Sequence, residues 1–102
     1  MNSGLDFSTA LRELRKGRKI CRESWNSTGA FCWLREPVDL DATWCRDKAL
    51  KSLAELHGGS IAGSPTICLC KYTDGDIPVI QYGWTPSQED LFAPDWQLVY
   101  EV

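Results

Sequence analysis

The sequence predicts a small α+β domain built on an antiparallel sheet of about five short strands, with two longer helices and one short helix. Three observations lead there. Apolar residues recur at helical spacing in two stretches: Phe7, Ala10, Leu11 and Leu14, then Ala49, Leu50, Leu53, Ala54 and Leu56. Short runs rich in β-branched and aromatic residues lie between turn signals elsewhere, among them Asp74-Gly75. Helices and strands follow in mixed order, without the alternation that builds a parallel sheet. The 102 residues suit one domain spanning 1–102, with a core of modest size.

Each element has a local cause. Asp6 caps a helix over Phe7–Lys16, and Gly17 supplies the left-handed residue that stops it. Lys19–Arg22 reads as a short strand. Trp25-Asn26-Ser27-Thr28-Gly29 provides turn chemistry before a second strand, Ala30–Arg35. Pro37 breaks regular structure in Glu36–Cys45. Asp47 then caps a helix over Lys48–His57, which Gly58-Gly59 ends. Thr66–Tyr72 and Pro78–Tyr82 form a hairpin across Asp74-Gly75. A short helix over Pro86–Phe92 and a strand at Trp96–Tyr100 complete the chain. In the short helix, Thr85 stands as N-cap, Pro86 as the first helical residue and Gln88 as the third position of a capping box.

Composition excludes several functions. The formal charge is −3, and residues 1–25 alone carry six basic residues against three acidic ones, which leaves −6 on the remainder. Such a molecule is poorly suited to duplex nucleic acid, whose binding rests on many phosphate contacts. No apolar run approaches the roughly 20 residues that span a bilayer, and the N-terminus carries no signal-peptide core. The five cysteines are odd in number and form no C-x-x-C pair, so reduced thiols in a cytoplasm are expected, without a metal. With one histidine, His57, and no Gly-rich phosphate loop, no catalytic residue is assigned and no cofactor is expected.

Five tryptophans are many for so small a core. Trp33, alternating with Phe31, and Trp96, alternating with Leu98 and Tyr100, read as interior. Trp25 and Trp84 lie in turns beside Asn26 and Thr85. There an indole either plugs the end of the sheet or offers a flat face to a purine, an interaction of about 1–3 kcal/mol per base. The start of the helix at Thr85–Gln88 likewise has two readings, a capped structural helix or an anion site. Glu89 and Asp90 oppose the second by neutralising the same helix end, and Asp90 suits ribose hydroxyls or an exocyclic amine better.

Two segments together resemble the phage Thoeris anti-defense 2 family. The first runs from Asp6-Phe7-Ser8-Thr9-Ala10-Leu11 through Gly17-Arg18-Lys19 to Arg22-Glu23-Ser24-Trp25-Asn26, and the second from Gly83-Trp84-Thr85-Pro86-Ser87-Gln88-Glu89-Asp90-Leu91 to Ala93-Pro94-Asp95-Trp96. The resemblance implies a sponge that binds cyclic ADP-ribose isomers, and in some relatives cyclic oligonucleotides, and holds them unaltered in the cytoplasm of a bacterial host. It further implies a homotetramer with pockets between subunits. Carried across by motif, Trp25, Asn26, Trp84, Ser87 and Asp90 are the expected ligand-binding residues. By chemistry, the indoles would wall in the base, Asn26 and Asp90 would hydrogen-bond its edge or the riboses, and Ser87 or neighbouring backbone N–H groups would meet a phosphate. Thr85-Pro86 and a middle lengthened by the Lys48–His57 helix are the expected departures. An inhibitor of a host protein and an enzyme cleaving the same signal are the alternatives. On this reading Trp84→Ala abolishes binding with little loss of stability while Trp96→Ala unfolds the chain, as thermal melts and ligand titrations would read.

Overall fold

The computed structural model describes residues 2–37 and 39–100 and divides the chain into two compact units. The larger comprises residues 1–35 and 66–102, the smaller residues 36–65. In the larger, a helix α1 (Phe7–Arg15) precedes strands β1 (Ile20–Arg22) and β2 (Phe31–Arg35). The smaller holds β3 (Leu40–Asp41), α2 (Lys48–Leu56) and β4 (Ser60–Ile61). The larger unit resumes with β5 (Thr66–Thr73), β6 (Ile77–Tyr82), α3 (Gln88–Phe92) and β7 (Trp96–Leu98). Its sheet has the order β6-β5-β2-β1-β7 and is antiparallel throughout, so the α+β class with a five-stranded sheet holds.

The caps explain the boundaries. Asp6 accepts from the Thr9 N–H at 2.8 Å, and Asp47 accepts from the N–H groups of Ala49 and Leu50. The β5–β6 hairpin turns through Gly75 at φ 87° and Asp76 at φ 58°, a pair of left-handed residues that glycine and aspartate tolerate best. In the smaller unit, β3 pairs with β4 and α2 lies against both.

One face of the large sheet meets α1. Register sets which residues face it: Leu98, Ile20, Cys32 and Leu69 lie across from one another on consecutive strands, and all are buried with Ala10, Leu14 and Trp96. Because successive residues alternate faces, Phe31 and Trp33 must point the other way. Trp33 is therefore not in the core, contrary to expectation; it lies half-buried on the opposite face, 5.7 Å from the Phe31 ring. Cys32 takes the buried place between them. Trp96 is fully buried, as its spacing predicts.

The two sheet edges differ. The Leu5–Trp96 bridge, with the Leu98 N–H donating to the Asn2 carbonyl, covers β7. Strand β6 has no partner on its outer side among the described residues. It exposes Ile77, Val79, Ile80 and Tyr82, an apolar edge of the kind soluble chains normally shield.

The five cysteines are free thiols, and four of them lie buried in β1, β2 and β5. Burial pushes the Cys32 thiol up to about 12 and raises that of Cys21. Native protein titrated with a thiol reagent near neutral pH should modify Cys45 first, with Cys21, Cys32, Cys68 and Cys70 reacting only on unfolding, as mass mapping of the adducts would check.

Candidate functional site

Beyond β1 the chain takes one 3-10 turn, Glu23–Trp25, which sets the Trp25 ring against the end of the core. The Trp84 N–H donates to the Ile67 carbonyl at 2.8 Å, which fixes the second indole at the end of β6. Both meet Trp96. Ring centroids stand 5.9 Å apart for Trp25–Trp84, 5.3 Å for Trp25–Trp96 and 6.4 Å for Trp84–Trp96, all edge-to-face. Such pairs contribute about 0.5–1.5 kcal/mol each beyond simple burial. Trp25 and Trp84 thus do both things the sequence left open: they close the end of the core, and their remaining surface lines a cleft. That cleft measures about 380 Å³ and is lined by Trp25, Trp84, Leu69, Lys71, Tyr72 and Asp90, together with Thr28 and Ala30.

The other predicted residues fall differently. Ser87, not Thr85, caps α3, so the capping box lies two residues later than expected. The Ser87 hydroxyl accepts from the Asp90 N–H at 3.1 Å, and the Asp90 carboxylate accepts from the Ser87 N–H at 3.0 Å. Thr85-Pro86 is consumed in the crossing from Trp84 to the helix. Ser87 lies outside the lining of the indole cleft, and its N–H and that of Asp90 are already paired. Asn26 accepts from the Gln97 side-chain amide at 2.6 Å and borders a second hollow of about 270 Å³ on the far side of Trp25. The structure therefore brings Trp25, Trp84 and Asp90 to one cleft, keeps Ser87 as the support of Asp90, and leaves Asn26 across the Trp25 ring.

Arg22 was not singled out by motif chemistry, yet it organises this region. Its Nε donates to Asp95 at 2.9 Å and its Nη1 to Asp90 at 3.0 Å, with Glu89 at 3.5 Å. Its side chain is only 12% exposed, against 14% and 22% for the two aspartates. The Trp96 indole N–H donates to the Asp90 carbonyl at 2.8 Å, and the Glu23 N–H to the Asp95 carbonyl. Hydrogen bonding from Arg22 holds the Asp95 carboxyl below its ordinary value despite burial. For Asp90, burial works upward but is outweighed by the Ser87 and Arg22 hydrogen bonds, and its value also falls. The signal for Arg22 was its phase: it stands two residues after buried Ile20, on the face toward the core. Lys71 was missed in the same way, two residues after Leu69 on a half-buried strand.

This geometry defines the class of protein: an α+β domain whose aromatic core opens at one end into an indole-walled cleft. Sequence comparison then gives the family. Residues 5–99 match the Thoeris anti-defense 2-like domain, and the chain belongs to that family. It is 28% identical over 102 residues to Thoeris anti-defense 2 of Bacillus phage SP01, a match spanning 97% of this chain and 99% of that protein.

Two outcomes follow from the Arg22 cluster. Arg22→Met should lower stability by about 3 kcal/mol, because it leaves two covered carboxylates without a partner, whereas Arg22→Lys should cost less; chemical denaturation would measure both. Both aspartates have depressed native values, so their contribution is complete above the unfolded value near 3.9 and is lost as pH falls through the lower folded values. The acid limb of the stability curve should accordingly be shallower in an Asp90→Asn/Asp95→Asn variant. The packing also revises one expectation: Trp84→Ala should destabilise measurably, about 1–3 kcal/mol, so Trp84→Phe is the cleaner test of ligand contact in paired melts and titrations.

Proposed function

We propose that this chain is a non-catalytic sponge that captures nucleotide-derived immune signals, foremost cyclic ADP-ribose isomers, and withholds them unaltered from a host effector. The carrying observation is the cleft walled by Trp25 and Trp84, each locked against Trp96. Flat indole surface at a fixed angle suits stacking against a base, and prior immobilisation of both rings lowers the ordering cost of binding. Family membership supports the anti-defense setting, and the phage relative's name places it opposite the Thoeris system.

Holding rather than cleaving accords with the state of Asp90. It is the carboxylate of the cleft, is held below its ordinary value, and is hydrogen-bonded to Arg22 and Ser87. A carboxylate so placed is a weak general base near neutral pH. In the proposal Asp90 still accepts hydrogen bonds through its remaining lone pairs, and Ser87 acts by fixing it. Assembly of four copies, with pockets closed between them, gives the exposed apolar β6 edge a partner. It also gives Asn26, at the neighbouring hollow, a route to the ligand.

A second reading has its own observation. Trp44 is 84% exposed and Phe92 82% exposed, and large exposed aromatics are the usual anchors of a protein interface. In that case the chain would inhibit a host protein directly.

One experiment separates these readings. The purified protein is incubated with cyclic ADP-ribose isomers and cyclic dinucleotides, desalted and heat-denatured, and the released molecules are identified by mass spectrometry. Release of an intact cyclic ADP-ribose isomer is the expected result. Recovery of cleaved products would establish the enzyme, and recovery of nothing alongside capture of a host protein would establish the direct inhibitor.

A further inference from the structure

Resting on the sponge reading, the next question is what in the cleft meets the anionic part of such a ligand. The groups first expected to do so are spent. The N–H of Ser87 is taken by the Asp90 carboxylate, and that of Asp90 by the Ser87 hydroxyl. Arg22, the nearest guanidinium to Asp90, donates to Asp95 and Asp90 and does not line the cleft. Thr28 does line it, but its hydroxyl donates to the Trp25 carbonyl at 2.9 Å.

Lys71 remains. It is the cation among the cleft's lining residues, and it forms no ion pair among the described residues. It stands on β5 two residues after Leu69, paired with Val79 of β6, on the face that otherwise points toward the core. Asp90, the carboxylate among the lining residues, is already engaged by Arg22 and Ser87, so it forms no ion pair with Lys71. The Tyr72 ring beside Lys71 extends the aromatic lining.

We propose that Lys71 is the anion-recognising group of the indole cleft, so that the cleft selects an aromatic base joined to phosphate over a neutral nucleoside. The two requirements are met by different groups: stacking by Trp25 and Trp84, charge by Lys71. An ammonium on a flexible stem meets phosphate as a point charge, without the fixed fork of arginine, and so accommodates phosphates in more than one linkage.

The test compares wild type, Lys71→Met and Lys71→Arg by calorimetric titration with a panel of cyclic ADP-ribose isomers and with neutral adenosine. Each titration is run at about 0.01 M and about 0.15 M ionic strength, between which the Debye length falls from about 30 to about 8 Å. Lys71→Met should weaken binding of the isomers about 10- to 100-fold, the usual worth of a charge-assisted contact, and Lys71→Arg should weaken it less. Adenosine should bind all three proteins alike. Salt should weaken wild type more steeply than Lys71→Met, and the thermal melts should coincide because Lys71 is exposed. A strand lysine serving solubility alone would move none of the affinities. Lys71→Met binding the isomers as tightly as wild type, with equal salt dependence, overturns the assignment and leaves the sponge intact. Wild type binding no isomer overturns the sponge and this inference with it.

Discussion

The site depends on one guanidinium. Arg22 sits at the end of β1 and reaches Asp95 with Nε and Asp90 with Nη1, so a single planar group ties the first third of the larger unit's chain to its last turn. A lysine in its place could hold one carboxylate well but not two in fixed directions. The arrangement carries a desolvation cost, since three charged groups are largely covered, and the hydrogen bonds from the Ser87 and Ser24 backbone N–H groups to the two carboxylates help to offset it. Without Arg22, Asp90 would have a reason to turn toward water, and the start of α3 would lose the carboxylate that closes its capping box.

Asp90 passes this order to the tryptophans. Its side chain is held by Arg22 and Ser87, while its carbonyl receives the Trp96 indole N–H. Trp96 in turn supports the edges of Trp25 and Trp84, the two rings that face the cleft. The wall of the candidate site is thus the outer layer of the core rather than a set of side chains hung on loops. Mobility at that wall would require disturbing the core itself. A capture protein gains from such rigidity, because little conformational entropy remains to be lost when a ligand enters.

Much of this was legible in the sequence, for identifiable reasons. Element order and most boundaries follow from caps and turns that act locally: Asp6, Gly17, Asp47 and Asp74-Gly75 behave as their chemistry requires. Trp25, Trp84 and Asp90 were found through motif, and they do share a cleft. The misses are non-local. Phe31 and Trp33 resemble core residues until the pairing of Cys32 with Ile20 and Leu69 fixes which face meets α1. Thr85-Pro86 is an acceptable helix start until Ser87 and Asp90 offer a reciprocal one. Arg22 and Lys71 are ordinary surface cations by type, and only their phase with Ile20 and Leu69 places them on the core-side face of their strands, where Arg22 is largely covered and Lys71 stays exposed.

That phase also governs the electrostatics of the cleft. A chain of net charge −3 would be expected to repel an anionic ligand, and at long range it does so weakly through salt. At contact, the balance of a few groups decides. Arg22 holds one carboxylate that lines the cleft, Asp90, and one outside its lining, Asp95, so that Lys71 stands in the lining without an ion pair of its own among the described residues. The same interaction that immobilises the aromatic wall therefore also engages the carboxylate that shares the cleft with Lys71. Shape and charge at this site are two consequences of where one arginine points.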